Sequence, residues 1–407
     1  AIVERPLPGE YLTVDTRSGQ PPADLAFDRP VCLVVDSTLA ALQQAARAWR
    51  ARFNVRVIGI TGSVGKTTTK ELTARVLSQR YRTLKSAGNR NNEIGLPLTL
   101  LDLRPEHACA VLEMGMYTTG EIALLCKLAQ PAVGVVTIIG PVHLERVGTM
   151  DGIVRAKQEL VEALPADGVA ILNKDDARVM SMATHTQARV FTYGLNSTAD
   201  LWASNIHSMG LQGVRFTLNH GREALSIKVP LLGRHSVHTA LRAAAVGLAE
   251  GMRWEEILAG LAAQQSQLRL VAVPGPDESI LIDDTYNSSP DSVKAALNLL
   301  QDLDGRRVAV LGDMLELGPV EEASHRLIGR RVTEVAQVLV AVGPRARWIA
   351  EEALAVGMAP TRVFVAADAE TAVPILTELI RPRDVILVKG SLGVRMDRIV
   401  AALGRDT

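Results

Sequence analysis

A short glycine-containing loop, residues 62–65 (GSVG), stands between a β-branched run at 55–60 and a helix-forming run that begins at Lys66. Its two glycines let the backbone turn tightly, so that N–H groups of the loop and of the first helical turn can point at phosphate oxygens. Lys66 would then reach the outer phosphates and Thr67 a Mg²⁺ ion. Because Ile60 stands where the strict phosphate-loop pattern has its first glycine, a plain strand-to-helix turn with a surface lysine is the alternative.

Acidic and imidazole side chains follow the next strand-like runs. Glu113 ends the run 108–113, a position at which an acid commonly supports Mg²⁺ beside a phosphate loop; the alternative is a carboxylate that caps the next loop. His143 and Glu145 follow the run 133–138. A lone histidine is more often structural than a ligand, but the placement of His143 beyond the phosphate loop and Glu113 keeps a metal-binding role open.

An amide-rich loop and two further segments carry polar groups. In "SAGNRNNEIGLP" (86–97) the amides can bind a polar substrate or orient metal-bound water, although the pattern equally fits a turn-rich loop; they are Asn89, Asn91 and Asn92. Lys157 lies on a predicted helix, where a solvated lysine is the ordinary interpretation. Asp283 and Asp284 close a strand, and an acid there can accept hydrogen bonds from ribose hydroxyls.

The elements that must hold these side chains form two alternating series. The first has predicted strands at 55–60, 108–113, 133–138 and 168–172 and helices at 66–80, 120–129 and 151–164. This alternation predicts a parallel sheet covered by helices. Between 189 and 230 the pattern changes to one that predicts antiparallel hairpins around "NHG", and an alanine-rich helix at 235–250 follows.

The second series begins near residue 279, after the Pro/Gly-rich stretch 273–279. Its predicted strands, each followed by a helical run, are 279–283, 307–311, 337–342, 362–366 and 384–388. We expect a separate doubly wound α/β domain here, with a ligand in the cleft between the two α/β units. Residues 1–53 hold one apolar run and one helix, too little for an independent domain.

Composition excludes several function classes. The chain has 407 residues, 47% of them apolar, and 44 basic residues balance 44 acidic ones, so no overall field favours nucleic acid or an anionic membrane. No apolar stretch approaches the length of a membrane span, and the first ten residues lack the order of a signal peptide. Its three cysteines fit no disulfide or zinc pattern, which favours a cytoplasmic protein. The chain begins with Ala rather than Met, and we expect a processed or trimmed N-terminus.

Taken together, the segments resemble the Mur ligase family of ATP-dependent amide-bond-forming enzymes. The phrases that carry the resemblance run in family order over roughly residues 55–400: "GITGSVGKTTTKE", "GNRNNEIGLPLTLL", "LEMGMYTTGEIALL", "GPVHLERVGTMDGIVRAKQEL", "LNKDDARV", "LLGRHSVHTALRAAAVGLA", "LIDDTYNSSPDSVKAAL", "VAVLGDMLELG" and "LVKGS". Three of them, "NNEIGLPLTLL", "DDTYN" and "LGDMLELG", favour the member of the family that adds D-alanyl-D-alanine.

The resemblance implies an α/β fold with a central P-loop ATPase domain at 54–272, mostly parallel with an antiparallel part, and a C-terminal Rossmann-like domain at 273–407. It implies that residues 1–53 are part of a uridine-nucleotide-type N-terminal domain, incomplete here because the family carries a longer segment before the loop. The implied ligands are ATP, Mg²⁺, UDP-N-acetylmuramoyl-tripeptide and D-alanyl-D-alanine, and we expect a monomer that binds no nucleic acid and inserts into no membrane. The third residue of the peptide, lysine or diaminopimelate, stays open.

The resemblance also implies roles for individual residues. Catalytic roles fall to Lys66, His143, Lys157 and Arg269, the last as a contact to the outer phosphate. The implied nucleotide contacts are Gly62, Ser63, Gly65, Lys66, Thr67, Thr68, Ser236, Thr239 and Asp284. The implied metal site is Thr67, Glu113, His143 and Lys157, the lysine carbamylated by CO₂ so that it offers oxygen ligands. The implied substrate contacts are Asn89, Asn91, Asn92, Asp313 and Lys389.

Some positions depart from the family pattern. Ser236 and Thr239 replace asparagines, one of which contacts adenine in the family; Leu392 replaces an arginine, and Val64 replaces a small or polar loop residue. Two alternatives therefore stay open. One is a ligase of the same fold with another amine acceptor, such as a folylpolyglutamate-synthase-like enzyme, and the other is a nucleotide-binding scaffold without ligase activity.

Overall fold

Three β-sheets with flanking helices make up the computed structural model of this chain. The structure describes residues 1–9, 11–17, 30–142, 144–263 and 270–404. The described strands lie in sheets of three, nine and six strands.

The first sheet is small and wholly parallel. Its strands, in the spatial order β1-β3-β2, are β1 (Ile2–Val3), β2 (Leu12–Asp15) and β3 (Val31–Val34). Helix α1 (Thr38–Arg50) follows, and the hydroxyl of Ser37 caps it by accepting a hydrogen bond from the Ala40 N–H. Because Ala46 of α1 packs into the core of the nine-stranded unit, this helix connects the two units.

The nine-stranded sheet forms the central unit. Its strands are β4 (Arg56–Thr61), β5 (Thr83–Lys85), β6 (Cys109–Glu113), β7 (Val133–Val136), β8 (Val169–Asn173), β9 (Arg189–Gly194), β10 (Leu201–Ser208), β11 (Val214–His220) and β12 (Glu223–Val229). The spatial order is β12-β11-β10-β9-β8-β7-β4-β6-β5. Only the pairs β10–β11 and β11–β12 are antiparallel, and the other pairs are parallel.

Eight helices cover this sheet in the described part of the chain. They are α2 (Lys66–Leu77), α3 (Gly95–Leu101), α4 (Glu121–Ala129), α5 (Leu144–Val147), α6 (Met150–Glu162), α7 (Ala177–Met180), α8 (Ser236–Ala249) and α9 (Trp254–Ala262). Alternate side chains of β4 point to opposite faces of the sheet. Ile58 and Ile60 pack with α2 and α8, whereas Val57 packs on the side of α3 and α4. Strands buried on both faces produce the near-continuous apolar runs seen in the sequence.

Strand β9 corrects one expectation about the segment 189–230. We expected antiparallel hairpins throughout, but β9 pairs in parallel with both β8 and β10. A crossover through α7 lies between β8 and β9, and such a connection leads to a parallel neighbour. The antiparallel part therefore begins only at the β10–β11 pair.

The six-stranded sheet forms the C-terminal unit. Its strands are β13 (Val271–Pro274), β14 (Ile280–Asp284), β15 (Arg307–Gly312), β16 (Val338–Val342), β17 (Val363–Ala366) and β18 (Val385–Lys389), in the order β13-β14-β18-β15-β16-β17. Only β13 runs antiparallel to its neighbour. The helices are α10 (Pro290–Gln301), α11 (Glu321–Val335), α12 (Arg347–Ala355), α13 (Ala369–Leu379) and α14 (Asp397–Leu403).

Helices lie on both faces of the C-terminal sheet. Leu297 of α10 and Ile328 of α11 pack on one face, whereas Ala372 of α13 and Ile399 of α14 pack on the other. This arrangement confirms the predicted doubly wound α/β class. Among the described residues, no helix combines the length and apolar character needed to cross a bilayer.

Candidate active site

The loop at residues 62–65 requires its glycines. Gly62 has φ +139° and Gly65 φ +82°, both in the region that L-residues with side chains avoid. A Cβ atom at Gly62 would lie 1.9 Å from Oγ1 of Thr137, just beyond β7, and that hydroxyl donates a hydrogen bond to the carbonyl of Val64 at 2.7 Å. The loop is therefore held against the segment that follows β7.

Ser63 makes a second connection to the same segment. Its Oγ donates to the Gly140 carbonyl and accepts from the Gly140 N–H, each at 2.9 Å. Ser63 is predicted to contact the nucleotide, and its hydroxyl fixes the shape of the loop. The positive φ angles of Gly62 and Gly65 are compatible with a loop whose N–H groups bind an anion.

Helix α2 begins at Lys66 with no side chain capping its N-terminus. Its first N–H groups lack partners within the helix, and with the helix dipole they favour an anion at this point. The ammonium of Lys66 donates to the Gly62 carbonyl at 2.9 Å, so the lysine lies over the loop. Thr67 and Thr68 occupy the same half-buried first turn.

Glu113 lies beside this turn and is 2% exposed. Its Oε2 accepts a hydrogen bond from Oγ1 of Thr67 at 2.6 Å, and its Oε1 accepts one from Nδ2 of Asn91 at 2.9 Å. The adjacent strands β4 and β6 pair Ile60 with Glu113, which brings the two chain segments together. The structure thus joins three predicted site residues at the carboxyl edge of the sheet.

The three amides of the loop at 86–97 differ in their surroundings. Asn91 faces Glu113, but Oδ1 of Asn92 accepts the N–H of Gly95 at 2.8 Å and so orders the start of α3. Asn89 is exposed, and its carbonyl accepts the Asn91 N–H at 2.7 Å. Only Asn91 has its side chain at the candidate metal position.

Lys157 is buried in α6 rather than solvated. It is 1% exposed, and it makes no hydrogen bond or ion pair with the residues that the structure describes. Burial, and then the nearby charge of Lys66, lower the pKa of Lys157 well below the usual lysine value. The ordinary interpretation of this residue as a surface lysine is wrong.

A second group of predicted residues lies at the carboxyl edge of the C-terminal sheet. The ammonium of Lys389, at the end of β18, donates to Oδ2 of Asp284 at 2.7 Å and to the Asn287 carbonyl at 2.8 Å. Asp313 follows β15, and its Oδ1 accepts the N–H groups of Arg345 and Ala346 at the start of α12. Burial raises the pKa of Asp313, although these N–H donors oppose the shift.

The C-terminal unit contacts the central unit beside the phosphate loop. A Cβ atom at Gly140 would lie 2.7 Å from Oδ2 of Asp291, in the first turn of α10, and one at Gly318 would lie 3.1 Å from the backbone nitrogen of Glu145. Gly140 is the residue that holds Ser63. The two carboxyl edges therefore face one cleft between the units.

Two domain families match the chain: the Mur ligase middle domain over residues 60–247, and the Mur ligase glutamate ligase domain over residues 268–392. A UDP-N-acetylmuramoyl-tripeptide–D-alanyl-D-alanine ligase of Bacillus subtilis is 38% identical over 375 residues, which cover 91% of this chain and 80% of the relative. The chain belongs to the Mur ligase family.

Solved structures agree with the assignment of this Mur ligase. MurF from Acinetobacter baumannii superposes with a TM-score of 0.86 at 33% identity, covering 98% of this chain and 83% of that one. MurF from Thermotoga maritima, solved in complex with ADP, gives a TM-score of 0.81 at 26% identity, covering 94% and 86%. The predicted family and fold class are confirmed.

Three of the four departures from the family pattern lie on α8 and after β18 of this Mur ligase, and the fourth, Val64, lies in the phosphate loop. Ser236 is buried, and its Oγ donates to the Gly233 carbonyl at 2.6 Å, whereas Oγ1 of Thr239 accepts from Nη2 of Arg242 at 3.4 Å. Leu392 is 55% exposed. His143 and Arg269 lie outside the described residues.

Sequence reasoning missed two buried cations next to the site. Arg242 of α8 donates to Oγ1 of Thr69 at 2.8 Å, and Lys70 of α2 donates to the carbonyls of Ser86 and Gly88, at the start of the amide-rich loop. A charged residue inside an alanine-rich helix, as in "LRAAAVGLA", was the available signal for Arg242. Lys70 carried no comparable signal, because a lysine in a helix ordinarily faces solvent.

The donors around Glu113 suit magnesium in this Mur ligase. The described residues contain no cluster of three or more His, Cys, Asp or Glu side chains. Thr67 and Glu113 offer a hydroxyl and a carboxylate, and Mg²⁺ typically takes one or two carboxylates together with phosphate oxygens and water. This hard oxygen set fits a metal bound with a nucleotide rather than an all-protein metal cage.

Proposed function

We propose that this Mur ligase joins D-alanyl-D-alanine to UDP-N-acetylmuramoyl-tripeptide with the hydrolysis of ATP to ADP and phosphate, in the synthesis of peptidoglycan precursor. The observation that carries the nucleotide chemistry is the 2.6 Å contact between Thr67 and Glu113 beside Lys66. The relatives of this chain are named for a ligase that acts on these two substrates, which supports the choice of substrates.

The first half of the reaction is phosphoryl transfer. An oxygen of the tripeptide carboxylate forms a bond to the γ-phosphorus of ATP while the bond from that phosphorus to the β,γ-bridging oxygen breaks, so ADP leaves and an acyl phosphate remains. Lys66 neutralises charge on the outer phosphates, and the N–H groups at the start of α2 hold them. Arg269 is proposed to add a second positive charge there.

The second half is acyl transfer. The amine of D-alanyl-D-alanine attacks the acyl carbon, and the bond from that carbon to the phosphate oxygen breaks, so inorganic phosphate leaves. The amine releases a proton to solvent as the amide forms. Asn91, Asp313 and Lys389 are proposed to position the substrates, together with Asn89 and Asn92. Positioning supplies much of the rate in such reactions, so we propose that the C-terminal unit closes over the cleft in each cycle.

A Mg²⁺ ion would be held by Thr67 and Glu113, with His143 as a further proposed ligand. When bound, it would supply positive charge to the β- and γ-phosphate oxygens. The nucleotide itself is proposed to contact the phosphate loop and Thr68, then Ser236 and Thr239 from α8, and Asp284 from the C-terminal unit.

Lys157 is proposed to carry a carbamate. A buried amine whose pKa is lowered is populated in its neutral form, which is the nucleophile that CO₂ requires. The amine nitrogen bonds to the carbon of CO₂ and releases a proton, which leaves an anionic carbamate. That change places anionic oxygen ligands, which suit a hard metal, beside Lys66.

Three domains are proposed, at 1–53, 54–272 and 273–407, and the three separate sheets support this division. A cytoplasmic location is proposed as well. The use of ATP supports it, as do three free cysteines that are all buried.

The test is a panel of amine acceptors with ATP, Mg²⁺ and UDP-N-acetylmuramoyl-tripeptide carrying either lysine or diaminopimelate. We expect ADP release to match formation of the pentapeptide product with D-alanyl-D-alanine and to stay at background with D-alanine, L-glutamate or L-lysine. ADP release with a single amino acid instead would identify a ligase with another acceptor. ATP binding without ADP release for any acceptor would identify a scaffold.

A further inference from the structure

Arg242 is a buried cation without an acidic partner among the described residues. It is 6% exposed, and its guanidinium donates to the His238 carbonyl and to the hydroxyls of Thr69 and Thr239 while lying over the Tyr193 ring. A buried charge is costly unless an opposite charge or a full set of hydrogen bonds compensates it. In the described ranges, the hydrogen-bond acceptors around this guanidinium are all neutral.

The guanidinium lies against the phosphate loop. A Cβ atom at Gly65 would lie 3.0 Å from Nη1 of Arg242. The same Nη1 donates to Oγ1 of Thr69, and that hydroxyl in turn donates to the Gly65 carbonyl at 2.6 Å. Arg242 thus supports, directly and through Thr69, the left-handed glycine after which α2 begins.

The other side of the guanidinium holds the start of α8. Nη2 donates to Thr239, one of the residues proposed to face the base, and Nε donates to the His238 carbonyl at 2.9 Å. His238 is itself fixed, because its Nε2 lies 2.8 Å from Oδ2 of Asp175. One side chain therefore connects the proposed base side of the nucleotide site with its phosphate side.

We propose that Arg242 is a positioning residue for the nucleotide: it holds Gly65 in place relative to α8, and the phosphates of the bound nucleotide balance its charge. It acts through Gly65 and Thr69 and does not contact the reacting atoms. The inference rests on the proposed function for the identity of the nucleotide and adds a residue that the phosphate-loop motif does not contain.

Arg50 provides a matched control. It is also a buried arginine, 9% exposed, and its guanidinium donates to the carbonyls of Phe53, Val55 and Ala129. These residues flank the amino ends of β4 and β7, at the edge of the sheet opposite the phosphate loop. A purely structural arginine should behave like Arg50.

The experiment measures ADP affinity by calorimetry in the presence of Mg²⁺ and without any acceptor, beside thermal unfolding, for Arg242→Met, Arg242→Lys and Arg50→Met. We expect Arg242→Met to weaken ADP binding about tenfold or more, and Arg242→Lys to recover part of the loss, since a buried charged hydrogen bond is removed in one variant and partly retained in the other. Arg50→Met should lower the unfolding midpoint and leave ADP affinity unchanged. In steady-state assays, Arg242→Met should raise the KM for ATP more than it lowers kcat.

ADP binding within twofold of wild type by Arg242→Met would overturn the inference and leave the proposed function standing. If wild type itself binds no ADP, the proposed function fails and the inference with it. Thr69→Val, which removes the acceptor between Arg242 and Gly65, is the second variant should Arg242→Met not fold. It should weaken ADP binding severalfold, and unchanged binding by Thr69→Val would count against the inference equally.

Discussion

Thr67 and Glu113 are joined by a 2.6 Å hydrogen bond although 46 residues separate them along the chain. The contact exists because β4 and β6 are neighbouring parallel strands, so the helix that follows one strand begins where the other strand ends. This pairing places a hydroxyl and a carboxylate, both suitable oxygen ligands for Mg²⁺, at one edge of the sheet.

Glu113→Gln should reduce ligase activity by about 100-fold, because the amide keeps the size of the side chain but removes the charge that attracts Mg²⁺. Activity should be measured against Mg²⁺ concentration, and we expect the half-maximal concentration to rise. The control is Glu121→Gln. Glu121 accepts a hydrogen bond from the Thr118 hydroxyl and caps the loop after β6. Equal Mg²⁺ dependence in Glu113→Gln and wild type would remove Glu113 from the metal site.

Lys66→Ala should abolish turnover, with a loss of at least about 100-fold, because the charge that offsets the outer phosphates is removed. The circular dichroism spectrum should be unchanged, since alanine is a strong helix former and fits the first position of α2. Lys127→Ala, at an exposed lysine of α4, is the control. Near wild-type ligation by Lys66→Ala would show that the phosphate-loop interpretation is wrong.

Lys157→Ala should lose most of its activity, and added acetate should restore part of it by filling the vacated anionic position. The physical reason is that a carbamate or a bound carboxylate offers anionic oxygen ligands to Mg²⁺, whereas the alanine side chain offers none. Mass spectrometry after trapping the carbamate by alkylation should detect it on wild type supplied with bicarbonate. Full activity in Lys157→Ala would remove the lysine from the catalytic residues.

His325 should make the C-terminal unit sensitive to mild acid. Its side chain is fully buried, with Nε2 accepting the Met314 N–H at 3.0 Å and Nδ1 donating to the Glu321 carbonyl at 2.7 Å. Burial lowers the pKa of His325 despite the contact with Glu321. Below about pH 6.5 the unfolded chain binds a proton that the folded chain resists, so the free energy of unfolding should fall by up to about 1.4 kcal/mol per pH unit.

Denaturant unfolding at pH 7, 6 and 5 measures this dependence. The fall should be smaller in His325→Asn than in wild type, and the exposed His185, changed to Asn, serves as the control. An identical pH dependence in His325→Asn and wild type would contradict the prediction.

The sequence was sufficient to predict features that depend on the residues of a single segment. The glycines at 62 and 65, the β-branched run before them and the helix after them each follow from backbone sterics and periodicity, so the loop and its flanking elements could be predicted from sequence. The same holds for the α/β class, since alternating strands and helices leave few ways to bury their apolar faces. The sequence motifs shared with the Mur ligase family, which occur in the family's order, extended the prediction from the fold to the activity.

Tertiary structure decided what depends on partners distant in sequence. Sequence reasoning treated Asn91 and Asn92 alike, but packing turned one toward Glu113 and the other onto the start of α3. Lys157 and Arg242 are a lysine and an arginine on helices, and no periodicity reveals that both are buried. Burial, charge compensation and hydrogen-bond partners arise only when sheet neighbours such as β4 and β6 meet, because strand order is not encoded in any single segment.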